Sequence, residues 1–257
     1  AGLGFLIGLT GVGGGVLTVP VLILIVGLKP ITAVGTASMY AVLTKIYAVF
    51  RHYRQQTINL RAGVQFLIAA LPGLVCASFL VKWSKATLPP QGVDTLQDVI
   101  SYIIIGSIAF SLVTLLFDYG KMTNTFFQTG RGKAISVVCT FLVGAIMGAT
   151  SIGGGILIIP ALLLFYRETT RYVGTSIFVA VLLMFVMSVI YAFTGQGGAH
   201  AGGDVNARVA AFMAIGSLVG THYGSTLSKK LKPKTLQHVV IAVILLAVAM
   251  MLVDKLR

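Results

Sequence analysis

Apolar residues run along this chain in long blocks, separated by short polar stretches. Eight blocks can be marked, at 1–28, 31–50, 62–81, 99–117, 134–166, 173–194, 209–227 and 236–253. A helix needs about 20 apolar residues to cross a bilayer core. Six blocks have that length, and the first and fifth break the pattern. Block 134–166 has 33 residues, about 50 Å if helical, against a hydrocarbon core of about 30 Å. Both irregular blocks are interrupted by glycines in the middle. The pattern predicts an all-α polytopic membrane protein.

The two interruptions match each other. Thr10-Gly-Val-Gly-Gly-Gly-Val-Leu-Thr-Val-Pro20 aligns with Thr150-Ser-Ile-Gly-Gly-Gly-Ile-Leu-Ile-Ile-Pro160, with six of eleven positions identical. Further on, Val34-Gly35-Thr36 aligns with Val173-Gly174-Thr175. The offsets are 140 and 139 residues, so the register holds with one deletion. A duplication follows, with two repeats of four apolar segments. We divide the chain into a first transmembrane repeat at 1–120, a linker at 121–133 and a second transmembrane repeat at 134–257.

Charge bears on the orientation of the repeats. If all eight blocks cross, the halves are parallel and each face receives nine Lys and Arg. If the first block of each half is a re-entrant hairpin, the halves are inverted. Twelve basic residues then share one face: Arg51, Arg54, Arg61, Lys121, Arg131, Lys133, Arg167, Arg171, Lys229, Lys230, Lys232 and Lys234. Six remain on the other. Cytoplasmic loops carry an excess of Lys and Arg, so we favour inverted repeats with the twelve-residue face in the cytoplasm.

Composition agrees with a bilayer setting. The chain is 57% hydrophobic and 10% charged, against about 25% charged in a soluble domain. Net charge is +13, which a nucleic-acid binder can also show. Here the basic residues fall in short clusters between apolar blocks, such as Lys82 with Lys85, where lipid phosphates lie. A basic groove interleaved with aromatics is absent. Cys76 and Cys139 lie within apolar blocks without metal-ligand spacing and read as small buried hydrophobes. The sequence opens at Ala1 rather than Met, so a short preceding piece is expected. The first block lacks a basic leader and a small-residue cleavage site and does not read as a signal peptide.

The glycine breaks are the strongest candidate chemistry. Non-helical backbone at membrane depth is tolerated only where protein or a watery cavity covers it. A helix that starts there aims unpaired N–H groups and a positive dipole end at the membrane centre, which suits an anion. Gly13, Gly14 and Gly15, with Gly153, Gly154 and Gly155, are therefore candidate binding residues. Helix packing alone asks for glycine every fourth residue, as at Gly216, Gly220 and Gly224, not three together. Hydroxyls lie close by at Thr10, Thr150 and Ser151, and at Thr36, Ser38, Thr175 and Ser176. They can bond an oxyanion or their own helix backbone. Lys45 lies inside an apolar block, where it contributes to an anion path or snorkels towards Arg51. His222 reads more readily as a satisfied buried histidine than as a proton relay.

All six acidic residues lie in loops or at helix ends, which disfavours a carboxylate-based Na⁺ site, a proton relay or a cationic substrate. No catalytic constellation, metal cluster or nucleotide loop is visible. An enzyme is not expected, and no cofactor or metal is implied.

Gly8 to Pro20 followed by Ala33-Val-Gly-Thr-Ala-Ser38, and Gly148 to Pro160 followed by Val173 to Ser176, resemble the two halves of the sulfite exporter TauE/SafE family. The resemblance covers nearly the whole chain and departs from the family only at its shortened start. It implies a multi-pass protein of the bacterial inner membrane that exports small sulfur-containing anions such as sulfite or organosulfonates. We therefore expect a secondary transporter whose partners are that oxyanion and the bilayer, with no nucleic acid. An anion channel is the alternative, and an integral-membrane enzyme or assembly factor is a third reading. The particular anion, the driving ion and the choice between monomer and homodimer stay open.

Overall fold

A computed structural model describes residues 2–10, 15–116, 130–165, 172–193, 203–228 and 233–256. They form ten helices: α1 Gly2–Thr10, α2 Gly15–Leu24, α3 Pro30–Arg54, α4 Leu60–Thr87, α5 Pro90–Leu116, α6 Gly130–Thr150, α7 Gly154–Phe165, α8 Tyr172–Phe193, α9 Ala207–Ser228 and α10 Pro233–Leu256. No strand occurs among the described residues. The fifth block is divided into α6 and α7, and the first supplies α1 and α2, with residues 11–14 between them outside the described residues. The linker expected at 121–133 lies outside the described residues up to 129, and α6 begins within it.

The helix ends follow from local chemistry. α3, α5 and α10 open on proline, whose missing N–H costs nothing in the first turn. Asn59 and Asn206 cap α4 and α9, their Oδ1 atoms accepting from Ala62 N and Val209 N at 3.1 Å. α3 closes with Arg51, His52 and Arg54 in its last turn, which complements the negative end of its dipole.

Five described helices are long and apolar enough to cross a membrane: Pro30–Arg54, Leu60–Thr87, Pro90–Phe110, Gly132–Thr150 and Val173–Phe193. α9 and α10 have 22 and 24 residues, with apolar stretches at Ala207–Thr221 and Ile241–Val253. The outward surface carries large apolar side chains, among them Ile46, Leu80, Trp83, Phe193 and Phe212. In water such a belt promotes association, whereas acyl chains are its natural solvent. The inward core gathers Val19, Leu22, Val34, Phe66, Leu74, Ile104, Ile158, Leu183 and Tyr191.

Helices from the two ends of the chain interleave. α6 packs along α4, and α1 packs along α9. The backbones come close because the interfaces use small residues: a Cβ on Gly144 would overlap the Ala70 carbonyl oxygen, and one on Gly4 would overlap backbone atoms of Ser217. α3 and α8 pack together at the centre, with the short arms α2 and α7 against them.

Candidate functional site

The backbone of the second break is described. α6 ends at Thr150, residues 151–153 are not helical, and α7 begins at Gly154. Thr150 Oγ1 donates to Ile146 O at 2.7 Å and accepts from Ile152 N at 3.2 Å. It thereby ends one helix and pins the turn. Ser151 takes a left-handed φ of 56°, a conformation that non-glycine residues seldom adopt. Its Oγ lies 3.5 Å from Met184 Sδ on α8. By helix geometry the opening N–H groups of α7 have no intrahelical acceptor.

The start of α2 comes to the same place. α1 ends at Thr10 and α2 begins at Gly15, while Gly13, Gly14 and the side chain of Thr10 lie outside the described residues. Gly15 abuts the second break: a Cβ there would overlap the Ser151 carbonyl oxygen and press on Ile152 Cα at 3.3 Å. Only glycine allows that approach. The N-terminus of α2 thus meets the turn that opens α7, so two positive dipole ends converge. Gly153 packs on the side chain of Met147, and Gly154 and Gly155 form the first turn of α7.

The hydroxyls of the second motif serve as braces. Thr36 Oγ1 accepts from Asn206 N, and Thr175 Oγ1 accepts from Asn59 N, each at 2.9 Å. The glycine before each threonine makes room for the crossing chain: Gly35 lies against the Asp204 carbonyl oxygen and Gly174 against that of Thr57. Ser38 Oγ and Ser176 Oγ donate to Gly35 O and Val173 O, at 2.6 and 2.9 Å, within their own helices. The asparagines did not stand out in the sequence, yet a signal was there. Asn59-Leu-Arg61 and Asn206-Ala-Arg208 are a third repeated pair, offset by 147 residues because the connection before the second copy is eight residues longer.

Lys45 is half-buried on the face of α3 that carries Val34, Ser38 and Ala41. It has no ion-pair partner among the described residues. Lys82 differs from the sequence expectation. It is not a surface residue at the lipid phosphates: its ammonium is buried and paired with Asp204, which the part-exposed Lys85 also contacts. Spacing along one helix could not reveal a partner 122 residues away. Cys76 is likewise not buried: it faces outward from α4, and Cys139 is half-buried, both as free thiols. Within an apolar block, a small residue can face lipid as readily as protein. The side chain of His222 lies outside the described residues.

A family model described as Sulfite exporter TauE/SafE matches residues 1–251. The chain belongs to that family. It is a multi-pass membrane protein of a transporter family. Its similarity to the probable membrane transporter protein YjnA of Bacillus subtilis is 32% identity, spanning 95% of this chain and 93% of that protein. The probable membrane transporter protein YunE of the same organism is 24% identical, over 93% of this chain and 89% of its own length. A probable membrane transporter protein of Methanocaldococcus jannaschii is 27% identical over 91% and 87%. No solved structure matches the chain.

Proposed function

We propose that this TauE/SafE protein is a secondary transporter that exports small sulfur-containing anions, sulfite or organosulfonates, across a bacterial inner membrane without converting them chemically. The observation that carries this reading is the contact of Gly15 with Ser151. Two helix N-termini converging at one point give an anion N–H donors and positive dipole ends without a buried arginine. Gly13 to Gly15, Gly153 to Gly155, Thr10, Thr150 and Ser151 line this site in the proposal. Lys45 adds positive potential along the path, while Thr36, Ser38, Thr175 and Ser176 shape it as braces.

The site is central only if the two halves are inverted, and two contacts support that arrangement. Asn59 bonds Thr175, and Lys82 pairs with Asp204. With eight full crossings each pair would be split across a hydrocarbon core of about 30 Å. With two hairpins, each pair shares a face.

Uptake of radiolabelled sulfite into everted vesicles tests the function. Gly154→Val is expected to reduce initial uptake about tenfold or more, since it crowds the oxyanion and the N–H groups that hold it. Gly106→Val is the control, because nothing lies within 4 Å of where its Cβ would be. Saturable counterflow identifies a transporter, and linear flux without counterflow a channel. Unaltered uptake in a folded Gly154→Val protein would place the anion elsewhere.

A further inference from the structure

Beyond the breaks, one largely buried group of charges stands out among the described residues. Lys82 and Lys85 lie near the end of α4, one turn apart. Both ammonium groups contact the carboxylate of Asp204, in the turn before α9. The side chains of Lys82 and Asp204 are 4% and 6% exposed, and that of Lys85 is 34% exposed. The backbone fixes Asp204 tightly. Its N–H donates to Tyr191 O at 3.0 Å, its carbonyl oxygen rests on Gly35, and two residues later Asn206 bonds Thr36.

The group is one aromatic ring away from the break. Lys82 Nζ lies 5.7 Å from the centroid of the Tyr191 ring. Tyr191 Oη donates to Gly148 O at 3.0 Å, and Ser78 Oγ donates to the same carbonyl at 3.1 Å. Gly148 is three residues before Ser151. The basic cluster therefore lies at the end of α4 away from the 51–61 loop, one ring from the helix that leads into the break.

The charges do not balance. Two ammonium groups face one carboxylate, leaving a formal excess of one positive charge. An ammonium has three N–H donors, and Asp204 is the acceptor for Lys82 among the described residues. The excess falls on Lys85, part-exposed beside the buried Lys82–Asp204 pair, where an arriving anion can complete the charge balance. The backbone path of this turn is not peculiar to a carboxylate. In the other half Thr57 occupies the corresponding place, with its carbonyl oxygen against Gly174 as that of Asp204 is against Gly35.

We infer that Lys82 and Lys85 form a second oxyanion-binding station, and that Asp204 is a tethered carboxylate occupying it when cargo is absent. A sulfur oxyanion arriving from the breaks competes with Asp204 for the two ammonium groups. The returning carboxylate displaces it towards the far face. This rests on the anion path proposed above and adds to it a place where cargo is released.

The test uses the purified full chain. Thermal unfolding is followed by the fluorescence of Trp83, the sole tryptophan, adjacent to Lys82. Sodium sulfite and sodium sulfate are compared with sodium chloride at matched ionic strength. Asp204→Asn is expected to be less stable than wild type in chloride and to regain stability with the oxyanions, at concentrations about tenfold below those that shift wild type. Adding Lys82→Gln and Lys85→Gln to Asp204→Asn should abolish the rescue. Should Asp204→Asn fail to fold, Asp204→Thr, which copies Thr57, replaces it with the same expectation. An equal response to chloride and oxyanions, or rescue that persists in the triple variant, overturns the station. Sulfite flux through wild type in proteoliposomes is measured alongside. Flux without rescue removes the station and leaves the transport reading. Rescue without flux removes sulfite transport and leaves an oxyanion station.

Discussion

The carboxyl of Asp204 is governed by opposing effects. Burial favours its neutral form and raises its pKa, whereas hydrogen bonds from Lys82 and Lys85, with their charges, lower it. The lysines win, and Asp204 titrates below the ordinary carboxylate range. A group whose folded pKa is depressed adds stability that is fully present above its unfolded value, about 4, and is lost as pH falls through the lower folded value. Wild type is therefore expected to lose melting temperature steeply below about pH 4, and Asp204→Asn to show a flatter acid limb. Melting curves between pH 7 and 2.5 check this, and parallel acid limbs would refute it. At this scale the sequence was informative about backbone and poor about partners. Three glycines in a row announce a break wherever they occur in an apolar block. The pairing of Lys82 with Asp204 depends on packing between α4 and a turn far along the chain, which no local spacing encodes.

Most helices were legible as elements, because an apolar block bounded by Pro, Asn or Gly has few other solutions in a bilayer. The start of α5 was not. The apolar block begins at 99, yet the helix begins at Pro90, because its opening turns carry Gln91, Asp94, Gln97 and Asp98 and have no apolar signature. α6 shows the converse. It is long enough to cross, but Arg131 and Lys133 occupy its first turn, and its apolar part, 134–150, spans about 26 Å. That is short of a core of about 30 Å, as suits an arm that stops at a break. The matched Val-Gly-Thr copies marked the repeat and left the threonine hydroxyls open between an oxyanion and backbone, and in the structure these hydroxyls bond backbone at a joint between elements. Thr36→Val and Thr175→Val each leave a part-buried backbone N–H without its acceptor, at a cost of about 1 kcal/mol. Both are expected to melt earlier than wild type, while Thr36→Ser keeps the acceptor and most of the stability. If Thr36→Val melts with wild type yet loses sulfite binding, the hydroxyl serves the anion and not the joint.

At the scale of the whole molecule, two independent lines bear on inversion. The first is charge: hairpins gather twelve basic residues on one face and leave six on the other, whereas eight crossings leave no bias to orient the protein. The second is contact. The 57–59 turn meets the start of α8, and the end of α4 meets the turn before α9. The first hydrogen bond spans 2.9 Å, which is the separation expected of groups on one face rather than two. Inversion also gives the glycine breaks a common purpose, because it brings the start of α2 and the start of α7 to one level from opposite sides. Single cysteines introduced at Gln55 and at Lys230, in a chain with Cys76 and Cys139 replaced by alanine, should react with a membrane-impermeant maleimide from the same face. A cysteine at Pro89, after the end of α4, should react only from the other. Labelling of positions 55 and 230 from opposite faces would restore eight crossings. The dipole ends of α2 and α7 would then not oppose each other across the site, and the anion path proposed here would lose its geometric basis.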